Sequence, residues 1–328
     1  MSASTRTLGR SGIEVGAIGF GAWAIGGPLY DGNGKAIGWG EVDDDESVAA
    51  LRRALELGIT FFDTADVYGA GHSERVIGRA FAGRRDEIVI ATKFGHLFDA
   101  GRRISDGVDV SPEHIRRACR ASLERLGTDH IDLYQLHIGD MPLERVDETI
   151  ATLEDLVAEG LIRAYGWSTD DPERAAAFAK GPHCATVQNE MNVFDDAPQM
   201  LAVCDTHDLA SVNRGPLAMG LLTGKYDAAS RLPRDDVRGA SPEWMRYFTG
   251  GAPSPEFLAR LDAIREILTS GGRTLAQGAL GWLLGRSGRT LPIPGIRTVA
   301  QAEQNAGALR HGPLSREQLD QIDSLLRR

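Results

Sequence analysis

Ionisable side chains follow directly after a short apolar stretch early in the chain. Phe61 and Phe62 precede Asp63, and Asp66 and Tyr68 come a few residues later. A buried strand that ends in ionisable groups is how parallel α/β proteins place chemistry at the carboxyl edge of the sheet. Asp and Thr also end strands because their side chains bond free backbone groups. From this stretch alone, a catalytic turn and a structural turn are both open.

Two more chemical groups follow the next predicted strands. Lys93 follows residues 87–92, and His137 follows residues 131–136. Tyrosine is a weak acid with a pKa of about 10, and a nearby ammonium lowers the pKa of a phenol. We therefore expect Tyr68 to donate a proton beside a hydride transfer, with Lys93 lowering its pKa. Asp63 would hold Lys93 by an ion pair, and His137 would orient a carbonyl oxygen.

Each of these residues also has a simpler interpretation. Lys93 could form a Schiff base, as a strand lysine does in barrel aldolases. A lone histidine such as His137 is more often a hydrogen-bonded core residue than a catalyst, and Ser168 and Gln188 could merely cap helices or end strands. The joint occurrence of an acid, a phenol, an ammonium and an imidazole on one edge favours catalysis.

Eight apolar segments alternate with helical segments along the chain. The predicted strands cover residues 17–21, 59–62, 87–92, 131–136, 162–167, 185–188, 210–213 and 290–293. No interdomain linker interrupts them, so the pattern predicts an α/β fold: one (β/α)8 TIM barrel domain over residues 1–328. An N-terminal β-hairpin near residues 7–15 and extra C-terminal helices near 299–306 and 315–326 complete it. An open, doubly wound sheet would need a switch point that nothing marks.

Two segments have special interpretations. Gly19 and Gly21 begin a dinucleotide-binding fingerprint, but its third position is Ala24 and no helix opens there, so we expect no Rossmann fold. The irregular stretch 215–253 is long enough to need a function. We expect residues 227–253 to fold over the site as a lid.

Composition narrows the class of protein. The 328 residues are 42% hydrophobic, and 36 Lys and Arg stand against 46 Asp and Glu, a net charge of −10. Such acidity argues against nucleic-acid binding. The three cysteines suit neither a disulfide framework nor a zinc site, residues 1–6 lack the apolar core of a signal peptide, and no run approaches the roughly 18 apolar residues of a membrane span. We expect a cytoplasmic monomer or weak homo-oligomer with no metal and no membrane partner.

Several motifs together resemble one enzyme family over essentially the whole chain. They lie at residues 61–69, 91–93, 132–137, 166–168, 188–190, 215–226 and 294–305. The sequence resembles the aldo-keto reductase superfamily, and within it the bacterial branch of general-stress and inositol-locus reductases more than the mammalian aldose reductases. The resemblance implies reduction of an aldehyde or ketone, with NADPH bound in an extended pose. It also implies a catalytic tetrad of Asp63, Tyr68, Lys93 and His137, with Tyr68 as general acid.

The resemblance also implies where NADPH binds. Gly21, Ala22 and Trp23 would line the nicotinamide end, and Ser168 and Gln188 would hold its carboxamide. Pro216, Leu217, Gly220 and Leu222 would pass the pyrophosphate. The adenosine end would lie on Gly295, Arg297, Thr298, Gln301 and Asn305, where a guanidinium suits a 2'-phosphate.

One residue departs from the family's pattern. Arg214 stands after the seventh strand, where many members carry an aromatic that stacks on the nicotinamide; it would stack in its place or approach the pyrophosphate. Candidate substrate walls are Trp23, Tyr30, Phe94 and Trp167, although each aromatic could be core. The alternative function is a cofactor-sensing regulatory subunit, because potassium-channel β subunits resemble this family too.

Overall fold

The protein is built around one closed barrel, seen in a computed structural model that describes residues 5–327. Its parallel strands are hydrogen-bonded in chain order. They are β1 (Phe20–Gly21), β2 (Phe61–Asp63), β3 (Val89–Phe94), β4 (Ile131–Leu136), β5 (Ile162–Ser168), β6 (Cys184–Glu190), β7 (Ala210–Arg214) and β8 (Thr290–Pro292). The amides of Gly19 and Gly21 donate to the carbonyls of Pro292 and Pro294, both at 2.9 Å, and so close the sheet. The predicted (β/α)8 barrel is confirmed.

Helices follow every strand and surround the barrel. They are α1 (Asp44–Glu56), α2 (His72–Ala80), α3 (Pro112–Leu126), α4 (Val146–Ala158), α5 (Pro172–Phe178), α6 (Pro198–His207), α7 (Val237–Ala240), α8 (Pro255–Thr269), α9 (Leu275–Arg286), α10 (Val299–Ala306), α11 (Ala308–His311) and α12 (Arg316–Leu325). The local sequence explains where α3 begins and ends. The Ser111 hydroxyl accepts the His114 amide, Pro112 takes the first position, and Gly127 ends the helix with a φ of 66°. The extra C-terminal helices are confirmed.

The predicted N-terminal hairpin closes the lower end of the barrel. Its strands, Thr5–Thr7 and Glu14–Gly16, pair antiparallel. Leu8, Ile13 and Val15 pack against the inward side chains of the barrel strands in one buried cluster. The floor is therefore filled with apolar groups, which leaves the opposite, carboxyl end for polar chemistry.

Side chains alternate between the barrel interior and the layer beneath the helices. On β3, Val89 and Ala91 belong to the interior cluster, whereas Ile90 and Phe94 pack in the outer core. Because the side-chain period of a strand is two, Lys93 points into the barrel. The same alternation on β7 puts Arg214 on the inner face, two residues beyond Val212.

The structure differs from the sequence expectations mainly at the upper end. An antiparallel hairpin, His96–Asp99 with Ile104–Val108, follows β3 and pairs with Tyr30–Asp31. It was not predicted, because its apolar and polar residues do not alternate and none of them is fully buried, so that no buried strand pattern arises. The strand expected at 17–21 is shorter, and a 3-10 turn, Leu143–Arg145, precedes α4.

The segment 227–253 lies against the loop before α1. Val237 donates its amide to the Gly38 carbonyl at 2.9 Å, and the Lys35 ammonium donates to the Ser241 carbonyl at 3.2 Å. Within residues 5–327, no helix is both long and apolar enough to cross a membrane. The single domain, the cytoplasmic location and the association state stay predictions, and residues 1–4, part of the stretch judged for a signal peptide, lie outside the described residues.

Candidate active site

Lys93 lies at the centre of a buried hydrogen-bond network inside the barrel mouth. Its ammonium donates to the Asp63 carboxylate at 2.6 Å, to the Thr64 carbonyl at 2.8 Å and to the Tyr68 hydroxyl at 3.3 Å. Burial opposes the charged form of Lys93, but Asp63 and Tyr68 outweigh it, so the pKa of Lys93 is raised above its ordinary value. Lys93 is therefore a fixed cation near neutral pH.

The turn after β2 sets the position of Tyr68. The Tyr68 amide donates to the Ala65 carbonyl at 3.2 Å, and the next residue, Gly69, has a φ of 59°. A Cβ on Gly69 would lie 1.8 Å from the Gly26 carbonyl oxygen. Only glycine fits this approach, so the loop after β1 holds the turn that presents the phenol.

Tyr68 is a weaker acid than the sequence suggested. Burial raises its pKa above the ordinary value of a phenol, and the Lys93 cation opposes this effect without reversing it. Lys93 does lower the pKa of Tyr68, as expected. The net pKa is nevertheless raised, because desolvation of the phenol is the larger effect. Tyr68 consequently keeps its proton throughout the neutral range.

His137 lies beside Tyr68 as a neutral ring. The two ring centroids are 5.7 Å apart at an interplanar angle of 79°. Burial, and then the charges of His96, Lys93 and Arg214, bring the pKa of His137 well below its ordinary value. A neutral imidazole can donate one N–H to an oxygen held near the Tyr68 hydroxyl.

Two glutamines complete the network around Asp63. Gln188 donates to the second carboxylate oxygen of Asp63 at 2.8 Å, and Gln135 donates to the same oxygen at 3.2 Å. Sequence reasoning missed Gln135. The available signal was its position in β4, two residues before His137 and therefore on the same inner face.

A row of aromatic rings continues from Tyr68 toward the outside. Trp23 lies 6.0 Å from Tyr68, nearly parallel to it, and contacts Trp39 at 5.3 Å and the half-exposed Trp244 at 6.2 Å. Trp244 belongs to segment 227–253, which therefore reaches the mouth of the barrel. Trp23 as a wall of the substrate pocket stays a prediction, and its ring lies beside Tyr68.

Two other candidate walls lie elsewhere. Phe94 is fully buried and packs on Tyr134, at 4.6 Å between centroids, beneath the helices. Trp167 is equally buried, packs on Phe178 at 5.2 Å and donates its indole N–H to the Ile138 carbonyl. Because both rings occupy the outer layer, we leave them out of the substrate site. Tyr30 is half-buried at the edge of the added hairpin sheet.

The residues expected around the nicotinamide lie at the barrel mouth. The Ala22 amide donates to the Asp63 carbonyl at 2.8 Å, and the Ala22 carbonyl accepts the Ser73 hydroxyl. Gly21 bridges to Gly295 where the barrel closes. Ser168 and Gln188 are paired in register at the ends of β5 and β6.

The expected pyrophosphate segment is a tight loop after β7. Ala218–Thr223 forms a 3-10 helix in which Met219 and Gly220 have φ values of 55° and 92°. Pro216, Leu217 and Leu222 are buried. Burial of these side chains leaves the loop to present mainly backbone, with Gly220 at a conformation that favours glycine.

The expected adenosine end centres on Arg297. Its guanidinium donates to the carbonyls of Trp39 at 3.3 Å and Glu41 at 2.7 Å, which uses two of its five N–H donors. Its amide donates to Gln301, and Thr298 caps α10. Asn305 is buried on the same helix.

Arg214 is held by acidic residues at the barrel mouth. Its guanidinium pairs with Asp170 and lies 3.6 Å from Glu190. Arg246 from segment 227–253 also pairs with Glu190, at 3.1 Å. The network joins the ends of β6 and β7 to that segment and keeps the guanidinium close enough to influence both Tyr68 and His137.

Comparison with known proteins identifies the class. The model of the Aldo/keto reductase family matches residues 17–327. The chain is 32% identical to the aldo-keto reductase YhdN of Bacillus subtilis over 311 residues, which covers 90% of this chain and 86% of that protein. It is also 32% identical to the NADP(+) aldo-keto reductase yakc of Schizosaccharomyces pombe, and the match covers 94% of this chain and 88% of that protein. The chain belongs to the aldo/keto reductase family.

Solved structures give the same result. The glycerol dehydrogenase AKR11B4 of Gluconobacter oxydans has a TM-score of 0.83 at 30% identity, covering 99% of this chain and 96% of that one. An aldo/keto reductase of Klebsiella pneumoniae in complex with NADP and acetate has a TM-score of 0.71 at 30% identity, and the match covers 98% of this chain and 95% of that one. Among the described residues, no three His, Cys, Asp or Glu side chains are placed to share a metal ion.

Proposed function

We propose that this protein reduces an aldehyde or ketone to an alcohol with NADPH, and that Tyr68 supplies the proton. The observation that carries the proposal is the contact of the Lys93 ammonium with both Asp63 at 2.6 Å and Tyr68 at 3.3 Å. NADPH, when bound, would supply the hydride. The protein would supply the proton, the orientation of the carbonyl group and the exclusion of water.

The four polar residues have separate roles in this proposal. Tyr68 donates its proton to the carbonyl oxygen, and the Lys93 cation stabilises the phenolate that remains. Asp63 is a positioning residue, because its carboxylate holds the ammonium of Lys93. His137 donates an N–H to the carbonyl oxygen and orients it toward Tyr68.

The residues at the barrel mouth fit a nicotinamide dinucleotide. Ser168 and Gln188 bring a hydroxyl and an amide to the inner face, which suits a carboxamide. Arg214 lies on the same face as a planar cation, so it can lie flat against a nicotinamide ring. Among residues 5–327, Arg297 makes two backbone contacts with its five N–H donors, so the other three suit a 2'-phosphate at the other end.

The alternative roles of Lys93 and of the whole chain are less well supported. A Schiff-base lysine must be a neutral amine, whereas Lys93 is ion-paired and its pKa is raised. Borohydride treatment with a carbonyl compound should therefore leave Lys93 unmodified. A cofactor-sensing regulatory subunit would bind NADPH without steady turnover, and no observation favours it specifically.

The decisive experiment is a screen of aldehydes and ketones with NADPH and NADH in parallel, followed by absorbance at 340 nm. We expect carbonyl-dependent NADPH oxidation that Tyr68→Phe lowers by at least about 100-fold, the lower range of general acid catalysis. Tyr68→Phe should leave NADPH binding intact in a fluorescence titration. No oxidation across the panel, or full activity in Tyr68→Phe, would overturn the proposal.

A further inference from the structure

A groove of about 430 Å³ lies between the loop that contains residues 31–37 and the hairpin of residues 96–108. Its lining includes Asp31, Asn33, Ile37, His96, Ser105 and Asp106. Its volume lies within the range of small-molecule sites in proteins. Polar side chains dominate the lining, in contrast to the tryptophans on the other side of Tyr68.

His96 connects this groove to the reacting centre. Its ring lies 5.0 Å from the ring of His137, at an interplanar angle of 83°, and it lines the groove as well. The rings of Trp23, Tyr68, His137 and His96 thus form one continuous row. The tryptophans therefore lie on one side of the Tyr68–His137 pair, and the groove lies on the other side, at His96.

The fixed charges of the groove are negative. Asp31 and Asp106 line it, and no Lys or Arg is among the lining residues that the structure describes. One Asp31 oxygen accepts the amides of Asn33 at 2.9 Å and Lys35 at 2.8 Å, so the carboxylate is held in place. The Lys35 ammonium is directed away, toward Ser241.

The remaining groups do not cancel this charge. The Asp106 carboxylate lies against the backbone of Gly32, where a Cβ would come within 2.8 Å of one of its oxygens. Burial lowers the pKa of His96, so its imidazole is neutral near pH 7. The groove at His96 therefore carries two negative charges on its walls.

We propose that this groove receives the part of the substrate that lies beyond its carbonyl group, and that Asp31 and Asp106 make the enzyme prefer cationic over neutral over anionic carbonyl substrates. The proposal rests on the reductase function proposed above. A carboxylate or phosphate in the groove would meet two like charges, whereas an ammonium group would meet two opposite ones. Both carboxylates are open to solvent, so screening keeps the effect of each modest.

The test uses three para-substituted benzaldehydes that differ in tail charge. They carry a trimethylammonium, a hydroxymethyl or a carboxylate group, and kcat/KM with NADPH is measured for each. For each protein we divide kcat/KM for the cationic aldehyde by kcat/KM for the anionic one. Comparing this ratio between the parent and its variants cancels the intrinsic reactivities of the aldehydes. Asp106→Asn and Asp31→Asn should each lower this ratio about threefold, and the double variant about tenfold. Higher salt should lower it in the parent.

A matched control removes the same charge elsewhere. Asp86 is exposed in the turn before β3, at the opposite end of the barrel, and Asp86→Asn should leave the ratio unchanged. The melting temperature of each variant reports whether it is folded, and kcat/KM for the neutral aldehyde reports any loss that does not depend on the charge of the tail. If the parent reduces the neutral aldehyde, but neither Asp31→Asn nor Asp106→Asn changes the ratio of kcat/KM for the cationic and anionic aldehydes, this inference alone is overturned. A parent that reduces other carbonyl compounds but none of these three aldehydes also overturns this inference alone. A parent that reduces no carbonyl compound overturns it together with the proposed function.

Discussion

The Lys93 ammonium and the Asp63 carboxylate are 2.6 Å apart, and both side chains are almost completely shielded from solvent, at 0% and 2% exposure. The remaining donors and acceptors of this pair are also used, by Thr64, Tyr68, Gln135 and Gln188. A buried ion pair of this kind contributes geometry more than net stability, because desolvation offsets much of the attraction. Loss of one partner is different, since it leaves a buried charge without compensation.

We expect Asp63→Asn to lower the free energy of unfolding by about 3 to 5 kcal/mol, because Lys93 would remain buried without its counter-charge. The double variant Asp63→Asn/Lys93→Met removes both charges and should be less destabilised than the single variant. Urea unfolding at pH 7 measures both. If the two substitutions are simply additive, the ion pair does not determine stability here.

The second prediction concerns Asp66, whose carboxyl lies outside the barrel beneath α2 and α3. It is 2% exposed and one of its oxygens has no hydrogen-bond partner among the described residues. The neighbouring Glu74 is satisfied by Thr92 and Arg125, both at 2.6 Å. Burial, and then the charge of Glu74, raise the pKa of Asp66 well above its ordinary value.

The folded protein therefore keeps a proton on Asp66 that the unfolded chain releases above about pH 4. Stability is lost progressively as the pH rises from there through the folded pKa. Asp66→Asn keeps the neutral shape and should be more stable than the parent at pH 8, by an amount that grows by up to about 1.4 kcal/mol per pH unit. Unfolding at pH 5 and pH 8 tests this. Glu74→Gln should instead lower the free energy of unfolding, because Arg125 would lose the carboxylate with which it pairs.

Arg297 should determine the choice of cofactor. Arg297→Ala should raise the KM for NADPH about 10- to 100-fold, the range of a charge-assisted bidentate contact, with a much smaller effect on NADH. Arg297→Lys keeps the charge without the planar fork and should be intermediate. The substitution also frees the carbonyls of Trp39 and Glu41, and that effect would be common to both cofactors. Equal changes for both would mean that the 2'-phosphate is bound elsewhere.

Two tryptophans should separate substrate binding from stability. Trp23→Ala should raise the KM for carbonyl substrates while the free energy of unfolding changes little, because Trp23 faces the mouth beside Tyr68. Trp167→Ala should lower the free energy of unfolding by about 3 to 5 kcal/mol, since it empties a buried site and removes the bond to Ile138. Substrate KM should stay constant in any Trp167→Ala protein that folds. If Trp167→Ala raises the KM for carbonyl substrates in a folded protein, Trp167 is part of the substrate pocket after all.

Much of the barrel was readable from the sequence because its signals are local. Strand β4 has the bounds expected from the apolar run at 131–136, and helix α3 begins where the Ser111 cap and the proline at position 112 stand next to each other. The added hairpin between residues 96 and 108 carried no such signal, since it is held by pairing with the distant Tyr30–Asp31 strand. Edge strands with mostly exposed side chains lack the buried alternation from which strands are predicted.

Residue types and their spacing were enough to predict the kind of chemistry: an acid, a phenol, an ammonium and an imidazole at successive strand ends of a barrel. The surroundings of these four groups became known only from the three-dimensional packing. It added Gln135 to the network of Asp63, moved Phe94 and Trp167 into the outer core, and raised rather than lowered the pKa of Tyr68. These outcomes depend on which face of a strand a side chain occupies and on how much water it loses, and both are set by contacts between segments far apart in the chain.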